Sequence, residues 1–106
     1  MLEHKHLMIS ADFLRDVFIP SWYETWMSDL IEDLNMTALV EPKAVRDVTI
    51  DNEGITAFSI ITTSHIVLHT WETTTPYKLQ LDVYSCKGFN VDTVIYRLKD
   101  FDILNV

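Results

Sequence analysis

Apolar and polar residues alternate along most of this chain with the period of a strand, and they give way to helical spacing in two places. His4 to Ser10 reads as a first strand. Residues 11–19 are apolar but run into Pro20, which predicts a turn or a short helical piece. Ser21-Trp22-Tyr23-Glu24 has the form of a capping box, a serine cap with a glutamate three residues on. Tyr23, Trp26, Met27, Leu30, Ile31 and Leu34 then recur at helical spacing, and Asn35 is a suitable stop. This stripe reads as a core-facing surface rather than a ligand site.

A second strand is predicted over 38–50, with Pro42 as its point of interruption. Asp51-Asn52-Glu53-Gly54 is a turn signal. Residues 55–63 and 65–71 are rich in Ile, Val, Thr and Phe, as strands are. A further strand at about 78–86 sets Leu79, Leu81 and Val83 on one face and Gln80, Asp82, Tyr84 and Cys86 on the other. Thr73-Thr74-Thr75-Pro76 links it to the strand before. A helix from near Asn90 to about 99 and a strand at 101–105 complete an order close to βαβββαβ. That pattern predicts the α+β class: a two-layer sandwich of a mainly antiparallel sheet with two helices on one face. Without repeats or a linker, residues 1–106 read as one domain.

The formal net charge of −8 argues against nucleic acid and anionic membranes as partners, because both call for a basic surface. It suits a cationic small ligand, although acidity also serves solubility alone. No apolar run approaches the ~18 residues of a membrane span, and Met1 to His6 lack the apolar core of a signal peptide. A single cysteine forms no internal disulfide and fits a cytoplasmic location.

The chemistry-bearing residues gather in Thr62-Thr63-Ser64-His65-Ile66-Val67-Leu68-His69-Thr70-Trp71-Glu72, followed by Cys86 in Asp82-Val83-Tyr84-Ser85-Cys86. Within the strand, His65, Val67, His69 and Trp71 share one face. Ser64 and His69 are five apart, so a straight strand sets them on opposite faces and only a bend or bulge brings them together. On pattern alone they are ordinary strand residues, and Cys86 is a small apolar filler. His4 and His6 stand without a carboxylate or thiol in ligand spacing, so no metal site is predicted.

The wording of these segments resembles the prokaryotic S-adenosylmethionine decarboxylases. Gly54-Ile55-Thr56, then Ser64-His65-Ile66-Val67-Leu68-His69-Thr70-Trp71-Glu72, then Asp82-Val83-Tyr84-Ser85-Cys86 follow the family pattern, and His6-Leu7 resembles its first strand. The resemblance implies a self-processing proenzyme. Ser64 attacks the carbonyl of Thr63, the chain is cut between 63 and 64, and the residue left at position 64 becomes a pyruvoyl cofactor. It further implies that His69 assists the elimination, helped by the Thr56 hydroxyl. The pyruvoyl group then forms a Schiff base with the substrate amine and accepts the electrons freed as carbon dioxide leaves. Cys86 is the implied acid that protonates the product. Glu72 is the nearest match to the carboxylate that holds the substrate ribose, with Trp71 and Phe58 as pocket walls, although both also suit a core. Sites between two protomers imply a homodimer, and the product would be the aminopropyl donor for spermidine.

Three departures stand out. Thr63 replaces the family's glutamate before the cut, Thr56 replaces its serine, and the proline before Glu72 is missing ahead of a longer 73–77 loop. The departures keep two alternatives open. One is a pyruvoyl decarboxylase of another amino acid, ornithine or arginine. The other is an uncleaved, non-catalytic homologue that binds or regulates a partner.

Overall fold

The computed structural model describes residues 3–106; Met1 and Leu2, part of the stretch read for a signal peptide, lie outside them. Six strands and two helices follow the order β1 (Lys5–Phe13), α1 (Pro20–Asp33), β2 (Ala38–Asp47), β3 (Gly54–Ile61), β4 (Ser64–Trp71), β5 (Tyr77–Ser85), α2 (Val91–Leu98) and β6 (Ile103–Asn105). Four strands, not three, stand between the helices. All pair antiparallel in one sheet, ordered β2-β3-β4-β5-β1-β6. The expected α+β sandwich is the architecture observed.

Strand alternation builds the layers. Ile9, Ala11 and Phe13 of β1, Ile55 and Ala57 of β3, Ile66 and Leu68 of β4, and Leu79, Leu81 and Val83 of β5 are all buried. They share a core with Tyr23, Trp26, Met27, Leu30 and Ile31 of α1 and with Val94 and Leu98 of α2. Phe101, in a 3-10 turn over Lys99–Phe101, closes this core. Its ring lies 5.0–5.8 Å from those of Phe13, Trp22, Tyr23 and Trp26. The indole N–H of Trp26 donates to the Arg97 carbonyl at 3.0 Å and ties α1 to α2.

The ends of the elements depart from expectation for local reasons. Strand β1 runs on to Phe13, because Ala11 and Phe13 continue its buried face. The capping box does not form. The helix starts at Pro20, whose fixed φ suits a first helical position, and Glu24 instead accepts from the Ala44 N–H at 3.0 Å. Asn35 does end this region, with φ 57°. Asn90 caps α2 by accepting from the Asp92 N–H at 2.9 Å. Strand β2 shifts register on either side of Val40, close to Pro42. A Cβ on Gly54 would stand 1.8 Å from the Thr70 carbonyl oxygen, so no other residue fits there without moving β3 off β4.

The opposite sheet face carries Met8 of β1, Val45 of β2, Thr56, Phe58 and Ile60 of β3, His65, Val67, His69 and Trp71 of β4, and Gln80, Asp82 and Tyr84 of β5. No described helix covers it. Met8 is 72 % exposed, Val45 63 % and Ile60 43 %. Two adjoining hollows, of about 290 and 450 Å³, run across this face and share Ser10 and Gln80.

Candidate active site

The site is built on the β3–β4 hairpin. Ile61 pairs with Ser64 across a two-residue turn, Thr62-Thr63. Such turns need positive φ and select glycine or asparagine. Here the position is filled by Thr63, at φ 52°. The sequence pattern carried β3 through residue 63; the turn falls two residues earlier, and Ser64 opens β4.

Ser64 is buried on the helix side of the sheet. The β4–β5 register, read from His65↔Tyr84, sets Ser64 beside Ser85 and Thr63 beside Cys86. The Ser64 hydroxyl donates to Ser85 Oγ at 3.4 Å and accepts from the Cys86 N–H at 3.3 Å. Ser85 Oγ in turn accepts from the Lys87 N–H at 3.2 Å. Thr63 Oγ1 donates to the Thr62 carbonyl at 2.7 Å and lies 2.6 Å from Cys86 Sγ. A serine hydroxyl, a thiol and the peptide bond between 63 and 64 therefore meet at one end of β4.

His69 stands at the other end. Thr56 pairs with His69 across β3–β4, and Thr56 Oγ1 lies 3.0 Å from His69 Nδ1. The ladder between them and Ser64 has no register shift. Five strand residues span roughly 16 Å. The structure thus assembles Thr63, Ser64 and Cys86 in one group and Thr56 and His69 in another, and does not join the two groups within one chain.

The residues expected to hold substrate lie with the second group. Trp71 is 6.2 Å from His69, ring to ring, and donates to Asn52 Oδ1 at 3.2 Å. Phe58 lies across from Val67 on the uncovered face. Glu72 Oε1 accepts from Arg46 Nη2, while its buried Oε2 has no hydrogen-bond partner. Burial raises the Tyr23 and Tyr77 phenols above their ordinary range; Asp16 adds to the Tyr77 shift, and the Glu72 charge adds a smaller part to both.

A histidine cluster occupies the uncovered face. Asp82 Oδ1 lies 2.9 Å from His6 Nε2 and 3.4 Å from His65 Nε2, and the His65 ring stacks on Tyr84 at 5.5 Å. Among the described residues, no three His, Cys, Asp or Glu side chains stand together in a way that could hold a metal ion. Nor is any described helix long and apolar enough to cross a membrane.

Sequence reasoning missed Ser85. Its hydroxyl is fully buried and is the partner of Ser64. The signal was present: Ser85 falls on the same face as Leu79, Leu81 and Val83, where a polar residue needs a partner.

Residues 8–101 match the family model described as S-adenosylmethionine decarboxylase. The chain belongs to the S-adenosylmethionine decarboxylase family. The match spans both groups of site residues, from Thr56 to Cys86. The family's enzymes are generally pyruvoyl-dependent. Comparison with curated proteins finds no match.

Proposed function

We propose that this chain is a self-cleaving proenzyme that becomes a pyruvoyl-dependent S-adenosylmethionine decarboxylase in spermidine synthesis. The observation that carries the reading is the meeting of Ser64, Cys86 and the 63–64 peptide bond at a left-handed turn. Ser64 Oγ adds to the Thr63 carbonyl carbon, the 63–64 C–N bond breaks, and an ester with a free amine at residue 64 results. Loss of the Ser64 Cα proton then expels the Thr63 carboxylate. The dehydroalanine left behind takes up water and loses ammonia, giving the pyruvoyl group. Ser85 and the Cys86 N–H hold the Ser64 hydroxyl in place for the first step.

A base is needed for the elimination, and His69 of the same chain is out of reach. The uncovered sheet face supplies the way to bring one. Two copies stacked face to face would bury Met8, Val45 and Ile60 and set the Thr56–His69 end of one protomer against the Ser64 end of its partner; because the Ser64 side chain turns to the helix layer, His69 would meet the Ser64 Cα proton from the other face. A closed dimer of this kind uses the same patch on both protomers and yields two equal sites. Thr56, hydrogen-bonded to Nδ1, orients the imidazole for proton removal.

In the mature site the pyruvoyl group supplies the electron sink for loss of carbon dioxide. Cys86 stands beside it as the acid for the product carbon. Phe58 and Trp71 line the uncovered face where an adenine ring would stack. One observation favours a different amino acid as substrate: Glu72, the candidate ribose ligand, is already held by Arg46.

The test is release of labelled carbon dioxide from carboxyl-labelled S-adenosylmethionine, with ornithine and arginine in parallel. Release from S-adenosylmethionine alone, abolished by a carbonyl reagent such as hydroxylamine, supports the reading. Release from ornithine or arginine only would replace the substrate. No release from any of them by a cut protein would refute the decarboxylase assignment.

A further inference from the structure

We infer that Thr63 is a positioning residue with two separable parts: its backbone strains the turn at the scissile bond and so favours the cut, and its hydroxyl holds the Cys86 thiol at the edge of that turn. The inference rests on the self-cleavage proposed above and assigns a part of it to a side chain that departs from the family pattern.

Four non-glycine residues among those described have positive φ: Asn35, Asp51, Thr63 and Asp102. Asparagine and aspartate tolerate the left-handed region, because their short polar side chains bond locally. A β-branched residue does not, and Thr63 is the one exception in the set. It is also the residue whose carbonyl is attacked. The strain persists because the Ile61↔Ser64 pair closes the turn and both flanking strands are held on their far sides by β2 and β5. Once the 63–64 amide becomes an ester and then breaks, Thr63 is a free chain end and its φ relaxes. Strain present in the precursor and lost along the reaction lowers the barrier to cleavage.

The hydroxyl has a separate use. It bonds the Thr62 carbonyl at 2.7 Å and lies 2.6 Å from Cys86 Sγ, a contact in which either atom could be the donor. That contact holds the Cys86 sulfur at the edge of the turn. Serine would keep it, valine would remove it, and valine would leave the β-branch in place.

The two contributions separate in a four-variant series, Thr63→Val, Thr63→Ser, Thr63→Asn and Thr63→Gly, read by two assays. Cleavage is followed by intact mass against time, and Cys86 reactivity by its alkylation rate with iodoacetamide in an uncut Ser64→Ala background. Thr63→Asn and Thr63→Gly are expected to cut about tenfold more slowly, a barrier rise of about 1.4 kcal/mol, while Thr63→Val keeps at least the wild-type rate. Thr63→Val is expected to change the alkylation rate several-fold, while Thr63→Ser leaves it unchanged. Thr63→Val keeps the cut and changes the thiol, whereas Thr63→Ser, without the β-branch, slows the cut and leaves the thiol unchanged, an opposition that a change in folding alone would not produce. Wild-type cleavage rates in Asn and Gly would overturn the strain; unchanged alkylation in Val would overturn the thiol contact. A wild-type chain that never cuts would instead refute the self-cleavage reading and, with it, the role of the strain, while the alkylation series would still decide the contact.

Discussion

An uncleavable variant should rescue the cleavage of a slow one. The Thr56–His69 pair lies roughly 16 Å along β4 from Ser64, whereas a proton transfer needs heavy atoms about 3 Å apart. On the proposed mechanism, His69 therefore serves the Ser64 of another chain. Ser64→Ala abolishes the nucleophile, and His69→Ala removes the base. Alone, the first never cuts, and the second is expected to cut ~100-fold or more slowly, the usual contribution of a positioned acid–base group. Co-expressed with separable tags, the two chains assort into dimers. In each mixed dimer the Ser64→Ala chain still presents His69 to the intact Ser64 of its partner. With equal amounts and random pairing, about half of the His69→Ala chains sit in such dimers, so about half should be cut. The assay is intact mass of each tagged chain after separation under denaturing conditions. Rescue confined to the His69→Ala chain, near half, is the expected result. Absence of any rescue in a mixture shown to contain mixed dimers would refute the shared site, and cleavage of His69→Ala alone at the wild-type rate would remove His69 from the processing step.

Other predictions follow from the fold. Cleavage leaves strands from the two pieces interleaved in the sheet, with seams at β3|β4, β5|β1 and β1|β6. The pieces 1–63 and 64–106 should therefore co-elute by size exclusion and separate only in denaturant; separation in plain buffer would contradict the topology. Phe101→Ala empties the centre of four aromatic rings and should cost about 4 kcal/mol, lowering Tm by more than ~15 °C; a change under 5 °C would show that the pocket collapses. Thr49 and Asn52 hold the Asp47 carboxylate below its ordinary value, the Thr49 N–H first. A lowered folded pKa contributes stability above the unfolded value and loses it as pH falls through the folded one. Asp47→Asn should thus be less stable than wild type at pH 7, with the gap between the two denaturation curves closing as the pH falls below the ordinary carboxylate range. A gap independent of pH would show that Asp47 acts without its charge.

The sheet was legible because strand alternation is decided residue by residue. Leu79, Leu81 and Val83 fell on the core face as their spacing required, and Ser64 and His69 fell on opposite faces for the same reason. The start of α1 was less legible, although Asn90 caps α2 where the pattern put it. Ser21 and Glu24 have the spacing of a capping box, but the cap falls at Ile19, two residues earlier, with Pro20 first in the helix, and β2 takes Glu24 as a hydrogen-bond partner. Tertiary contacts of this kind leave no local trace. The left-handed turn at Thr63 was illegible for a different reason: threonine is the residue that pattern places inside a strand, and only the closing of the hairpin forces it out of one. Ser64 and Cys86 come together through a β4–β5 pairing 21–23 residues distant in sequence, which motif likeness anticipates and spacing does not. The distance from Ser64 to His69, by contrast, was readable from the sequence, and it is the feature that calls for a second protomer.

Self-cleavage is tested most directly by the intact mass of the purified protein after incubation at neutral pH. Two chains are expected, residues 1–63 with an ordinary carboxyl end and residues 64–106 beginning with a carbonyl in place of an amine. A single unbroken chain after long incubation, with its Ser64 hydroxyl intact, would contradict it.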